Sequence, residues 1–270
     1  MNNISSRKGL VSVIMPTYNT GILLISSINS ILKQTYSDLE LIVVDDCSSD
    51  KETKNILEEF SLKDNRIKVI LLDSNHGPSH ARNIAIDEAS GQYIAFCDSD
   101  DRWAEDKLEK QIELMATKQC SLCCSSYYIC DIHQTIKGIN IPPKHITFNL
   151  MKRDNKIGCT TAIYDTIKLG KKFYMPNLYK SEDWGLFLQI IMECKDCYAY
   201  TEKPLAFYCL RDKSLSSNKA SMIKYNIAVY QKILGYNKIK SYFAFAFLFI
   251  PSYIYKIFKR KYDSFRLIYK

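Results

Sequence analysis

The chain of 270 residues is long enough for one large domain and an appendage, and no internal repeat or low-complexity segment divides it. Its formal charge of +8 sits wholly at the end: Lys232 to Lys270 holds nine Lys or Arg against the single acid Asp263, while the preceding residues carry 28 of each sign. A basic tail without a supporting recognition motif excludes nucleic acid as the partner, and ten cysteines in a chain of this kind read as free thiols rather than a disulfide framework.

Met1 to Gly9 is polar and has no apolar stretch of the signal-peptide kind, so the chain is expected in the cytoplasm. Leu10 to Met15 is a β-rich run stopped by Pro16, and Ile22 to Leu32 has helical spacing. Leu41 to Val44 is a second strand, stopped by Asp45 and Asp46, and Thr53 to Leu62 a second helix. Ile67 to Leu72, Ala81 to Ala89 and Tyr93 to Cys97 continue the series as strand, helix and strand. This alternation predicts an α/β fold with a mostly parallel sheet, whose strands are apolar throughout because helices cover both faces.

Ligands of such sheets bind beyond the carboxyl ends of the strands. Polar residues stand at every one of those ends: Thr17, Tyr18 and Asn19; Asp45 and Asp46; His76 and Gly77; and the cluster Asp98-Ser99-Asp100-Asp101, which directly precedes a helix-like segment opening at Trp103. Aspartates this close repel one another, and burying them costs several kcal/mol each without compensation. Magnesium and manganese prefer oxygen ligands and bridge one or two carboxylates to phosphates, so the cluster points to a hard cation and a nucleotide diphosphate.

Five segments in order resemble the successive motifs of family 2 inverting glycosyltransferases with the GT-A (Rossmann-like) fold. They are Val13-Ile14-Met15-Pro16-Thr17-Tyr18-Asn19, Ser30-Ile31-Leu32-Lys33-Gln34-Thr35, Val43-Val44-Asp45-Asp46-Cys47-Ser48, Gly77-Pro78-Ser79-His80-Ala81-Arg82-Asn83 and Asp98-Ser99-Asp100-Asp101. The match is continuous over residues 10 to 115 and weaker to about residue 216. The resemblance implies a UDP-sugar donor bound across the strand ends. Pro16, Thr17, Tyr18, Asp45, Asp46, Arg82, Asp98, Ser99 and Asp100 would line its site. Tyr18 would flank the base, and Asp46 would accept from the uracil imide, since a carboxylate is acceptor-only. Arg82 would approach the base, ribose or pyrophosphate with its planar fork. Asp98 and Asp100 would serve a Mn²⁺ or Mg²⁺ ion that stabilises charge on the departing diphosphate, with Asp101 as a second choice.

An inverting transfer also needs a base for the acceptor hydroxyl. Ser181-Glu182-Asp183-Trp184-Gly185-Leu186 resembles the second acidic motif of the family, making Asp183 the expected base, Glu182 an orienting neighbour and Trp184 an acceptor-side platform for a sugar ring. Ser181 or Asp183 is also placed to cap the helix that follows. Tyr208 to Ser216 is similar to a further family segment but has Cys209 where arginine is common and Arg211 where histidine is common. A histidine ligand from this segment is therefore not expected, and Arg211 or Lys213 would neutralise pyrophosphate charge instead.

These readings divide the chain into a catalytic domain of residues 1–216, with a nucleotide-sugar-binding half (10–115) and an acceptor half (116–216), and a helical, basic and aromatic appendage of residues 217–270. Ile139 to Asn155, with Pro142-Pro143, is expected to form a mobile loop between donor and acceptor sides. Two CxxC spacings, Cys120 to Cys123 and Cys194 to Cys197, are read as buried thiols rather than zinc ligands. Tyr242 to Tyr255 offers about fourteen apolar residues with Pro251 inside, too short an uninterrupted run to cross a bilayer, so the tail is expected to lie on the inner face of the cytoplasmic membrane. The expected activity is transfer of one hexose, from UDP-Glc or UDP-Gal, or of one N-acetylhexosamine, to a polyprenyl-diphosphate-linked saccharide in O-antigen or capsule assembly. A processive synthase is the rival enzyme, although the Gln-x-x-Arg-Trp motif is missing and the only tryptophans are Trp103 and Trp184. A catalytically inactive nucleotide-sugar or membrane-binding module is the other alternative.

Overall fold

The computed structural model describes residues 6–210 and 219–268; Arg211 and Lys213 lie outside them. Strands and helices β1 (Arg7–Thr17), α1 (Leu23–Leu32), β2 (Leu39–Asp45), α2 (Lys51–Lys63), β3 (Ile67–Leu71), α3 (Pro78–Glu88) and β4 (Gly91–Phe96) alternate as the apolar periodicity predicts. The chain continues through β5 (Arg102–Trp103), α4 (Lys107–Lys118), β6 (Leu122–Ser125), β7 (Tyr127–Cys130), β8 (Ile136–Asn140), β9 (His145–Thr147), α5 (Phe148–Met151), β10 (Ile163–Asp165) and α6 (Thr166–Leu169). It closes with α7 (Glu182–Cys194), β11 (Asp196–Tyr200), β12 (Ala206–Cys209), α8 (Lys219–Lys232), α9 (Lys238–Ala244) and α10 (Ile250–Ile268).

Eight strands form one sheet in the order β3-β2-β1-β4-β10-β6-β11-β9, and β5-β12-β7-β8 form a smaller one. The first four strands are parallel, and β10 runs antiparallel to both β4 and β6. Both faces of the large sheet are covered, which is why its central strands carry apolar residues at successive positions. Along β1, Val11, Val13 and Met15 point into a core shared with Leu24 and Ile28 of α1 and Met115 of α4, while Ile14 points into the opposite core with Ala81 and Ala85 of α3 and Trp184 and Leu188 of α7.

Four sequence expectations need correction. β1 runs through Pro16 to Thr17 rather than stopping before it: the pairing with β4 has already ended at Ile14, so the missing proline N–H leaves no gap on that side. The helix expected from Trp103 begins at Lys107, because Arg102 and Trp103 are captured as an edge strand by Phe207 and Ala206. Residues 139–155 are not one loop: they hold the end of β8, then β9 and α5, joined by short turns, with β9 hydrogen-bonded to β11. The tail is not interrupted at Pro251: Lys238 to Leu267 is one 30-residue helix, apolar and long enough by length and composition to cross a membrane. A π turn over Phe245–Phe249 lies just upstream of the proline and accommodates its missing donor.

Candidate active site

The loops at the strand ends are tied together by polar side chains. After β1, Thr17 shares a hydrogen bond with Thr20 (3.0 Å), and Thr20 with Ser99 of the acid cluster (2.7 Å). Ser27 of α1 donates to the Ser99 carbonyl at 2.7 Å, so Ser99 is buried as a brace. Asn19 accepts from the backbone N–H groups of Ser49 (2.8 Å) and Asp50 (3.1 Å), fastening the first loop to the start of α2. Asp45 accepts from both the backbone N–H and the hydroxyl of Ser48. Asp46 accepts from the N–H groups of His76 (2.8 Å) and Gly77 (2.7 Å), which pins the loop after β3. Gly77 holds φ +89° there, a left-handed conformation natural to glycine. Pro16 is buried at the end of β1, and Tyr18 stands 48% exposed at the rim.

Arg82 joins the two acidic motifs. One nitrogen donates to Asp98 at 2.5 Å and another lies 3.6 Å from Glu182, so a buried guanidinium spans from the strand-end cluster to the first turn of α7. Burial alone would weaken its hold on the proton, and Asp98, then Cys159 and Glu182, more than offset it. Arg82 thus directs two nitrogens at carboxylates, while its Nε is buried without a hydrogen-bond partner. Asp183, next to Glu182, accepts from Asn155 Nδ2 at 2.8 Å and from the Trp184 N–H at 2.7 Å. Burial, with Glu182 adding to it, pushes the Asp183 carboxyl up to about 6.

Trp184 and Ser181 depart from their expected roles. Trp184 is 1% exposed, donates to the Met151 carbonyl at 2.8 Å and packs edge-on against Tyr230, so it is core and not a platform for a sugar. Asp101, the second choice for the cation, is fully buried and accepts from the Cys209 N–H at 2.9 Å, which ties β12 to the acid turn. Ser181 does not cap α7; its backbone is left-handed and its hydroxyl donates to Asn226 of α8 at 2.9 Å. The cysteines are free, and among the described residues no group of three or more His, Cys, Asp or Glu is arranged to hold an ion.

The carboxylates Asp98 and Asp100 nevertheless fit Mn²⁺ or Mg²⁺, which take one or two protein oxygens and complete their shell from phosphates and water. Burial and then the negative charges of Asp98 and Asp100 raise the Asp101 carboxyl well above its usual range, a crowding that a cation beside the turn would relieve. Sequence reasoning missed Asn155 and the pairing of Arg82 with Glu182. Asn155 carried no motif; the pairing was hinted at only by an arginine and an acid in two separate motifs.

A mostly parallel sheet flanked by helices, with acids gathered at its carboxyl ends and a second acidic pair facing them across an arginine, defines a GT-A-type transferase fold. The family profile described as glycosyl transferase family 2 matches residues 12–174. The chain belongs to that family. It is 36% identical over 239 residues to the putative teichuronic acid biosynthesis glycosyltransferase TuaG of Bacillus subtilis (strain 168), covering 88% of this chain and 94% of that one. It is 40% identical over 215 residues to WfgD of Escherichia coli, a UDP-Glc:alpha-D-GlcNAc-diphosphoundecaprenol beta-1,3-glucosyltransferase, covering 80% and 83%. Among solved structures, S. aureus TarS 1–349 in complex with UDP-GlcNAc superposes with a TM-score of 0.68 at 23% identity, covering 86% of this chain and 69% of that one.

Proposed function

We propose that this glycosyltransferase is an inverting enzyme that moves a single hexose, Glc or Gal, or an N-acetylhexosamine, from a UDP-sugar to a polyprenyl-diphosphate-linked saccharide during surface polysaccharide assembly. The observation that supports this reading is the Arg82 bridge, which links Asp98 of the first acidic motif to Glu182, the neighbour of Asp183, in the second. WfgD, at 40% identity, is named for transfer to GlcNAc-diphosphoundecaprenol, which supports the acceptor class, and TuaG is a putative glycosyltransferase of teichuronic acid biosynthesis.

Tyr18 flanks the base, and Asp46 holds the base-side loop while presenting its remaining lone pairs. Asp98 and Asp100 would hold Mn²⁺ or Mg²⁺, which supplies Lewis-acid stabilisation of the leaving diphosphate when bound. Glu182 keeps Arg82 in place. Asp183 takes the proton from the acceptor hydroxyl: its two hydrogen bonds fix the carboxylate at the helix start, and its raised proton affinity suits a general base working near neutrality.

The tail supports attachment to the inner face of the cytoplasmic membrane. Ile239, Phe243, Phe247, Ile250, Ile254 and Phe258 are exposed on one side of the helix, while Lys259 and Ser264 bond to the β8 region on the other, so the helix lies along the surface with its apolar side outward. The test is to incubate the purified protein and Mn²⁺ with each common UDP-sugar, with and without a synthetic α-D-GlcNAc- or GalNAc-diphospholipid, and to measure UDP release, product mass and anomeric configuration. One donor giving acceptor-dependent UDP and a β-linked product one sugar heavier is expected; an α-linked product or a polymer would overturn the reading.

A further inference from the structure

Helix α10 and the turn after β8 enclose a cleft of about 400 Å³, open mouth included, lined by Pro142, Pro143, Lys156, Lys256, Lys259 and Arg260 among others. Lys156 donates to Asp154 and to Ser252, both at 2.8 Å, and Lys259 donates to the Ile141 carbonyl at 3.0 Å and to Asp263 at 2.6 Å. Lys256 donates to the Asn155 carbonyl and lies 4.0 Å from Asp154. Arg260 is exposed and makes no ion pair or hydrogen bond with any other described residue. In direct contact, the four cations are answered by two carboxylates, Asp154 and Asp263, while Asp183 acts on Lys256 from farther off, so positive charge is in excess in a partly desolvated cleft.

Two placements say what this charge is for. Asn155 takes Lys256 on its carbonyl oxygen and holds Asp183 with its amide, so the cleft is one residue away from the proposed base. The helix that supplies Lys256, Lys259 and Arg260 also carries the exposed apolar stripe, so a molecule reaching the cleft from that side is anionic at its head and apolar in its tail.

We propose that this cleft binds the diphosphate of the lipid-linked acceptor, with Arg260 and Lys256 taking phosphate oxygens and the lipid lying along the apolar stripe. The inference rests on the acceptor class proposed above and deepens it by assigning the residues that recognise the acceptor. A diphosphate diester carries two negative charges, matching the excess of cations, and guanidinium forks pair with phosphate oxygens two at a time. The saccharide next to the diphosphate would then extend past Asn155 toward Asp183.

The test compares wild type, Arg260→Gln and Arg260→Lys, in detergent, on a short-chain α-D-GlcNAc-diphospholipid and on a neutral octyl glycoside of the same sugar. The ratio of kcat/KM for the diphospholipid over the glycoside should fall about tenfold in Arg260→Gln and recover partly in Arg260→Lys. An unchanged ratio overturns the proposal, including the case in which Arg260→Gln only loses sedimentation with phosphatidylglycerol vesicles, which would make the cleft a lipid-headgroup site. If wild type transfers sugar to neither acceptor, the functional reading fails by itself. Calorimetric titration with the diphospholipid then decides the cleft: about tenfold weaker binding by Arg260→Gln supports it, and equal or absent binding in both proteins sinks it.

Discussion

The proposed donor and acceptor sides of this enzyme are held together in different ways. At the strand ends the work is done by short side chains gripping backbone: Asp46 holds the loop after β3, Asn19 the start of α2, and Ser27 the acid turn. The acceptor side is assembled from segments far apart in the chain, with Asn155 joined to Asp183 through its side chain and to Lys256 through its backbone carbonyl. The donor side is therefore a set of pinned loops on a rigid sheet, whereas the acceptor side depends on a tail helix docked against β8. Changes on the first should disturb donor binding and stability together; changes on the second should separate activity from stability.

The sharpest break comes at Asp183. Asp183→Asn should lower kcat by about a thousandfold while leaving UDP binding intact, measured by single-turnover transfer and calorimetry. Because the folded protein holds this proton more tightly than an unfolded chain, ionised Asp183 opposes folding as pH rises from the ordinary carboxylate range through about 6. Asp183→Asn should accordingly leave Tm at pH 7.5 no lower than wild type, checked by scanning calorimetry. For the wild type, the same raised proton affinity predicts an acid limb in kcat/KM near pH 6, with activity lost as the pH falls below it. A limb near pH 4 would instead remove Asp183 from the role of base.

On the donor side, Asp46→Ala leaves the N–H groups of His76 and Gly77 without partners. It should raise the KM for the UDP-sugar about tenfold and cost about 1–3 kcal/mol in denaturant unfolding, the two effects moving together. Gly138→Val probes the docked tail: a Cβ at this position would stand 2.6 Å from Ser264 Oγ. Prising the helix away should cost about 1–3 kcal/mol and hasten proteolytic release of the tail, with donor KM unmoved. The smallest effect is expected from Trp184→Phe, which should cost about 1–2 kcal/mol for a lost buried hydrogen bond and a small cavity without changing the acceptor KM. A raised acceptor KM would return Trp184 to the sugar site.

The same contrast governs what could be read from the sequence. Apart from Arg82, inside α3, the proposed donor-side residues lie within a few residues of a strand end, so the apolar period marks the strand and the next residues give the candidates. Asp183 was found in the same way, as an acid opening a periodic helix. Asn155 was not, because it stands 28 residues from its partner and only folding unites them. Lys256 looked like part of a membrane-facing basic tail, although its ammonium turns inward to the Asn155 carbonyl. Trp184 was misread because a tryptophan beside catalytic acids looks the same in sequence whether its ring faces the cleft or the core.

The π turn ahead of Pro251 has a geometrical effect as well as a backbone one. The exposed apolar side chains Ile239, Phe243, Phe247, Ile250, Ile254, Phe258, Tyr262 and Phe265 recur at steps of three or four, averaging about 3.7 residues, slightly more than the α-helical 3.6. On a regular helix that excess would wind the row about a quarter turn around the axis. The wider π turn takes up on the order of one extra residue, so the row runs straight from end to end. A straight row can meet a flat surface along its whole length, and a single proline with the turn before it thereby sets the planarity of the tail's apolar edge.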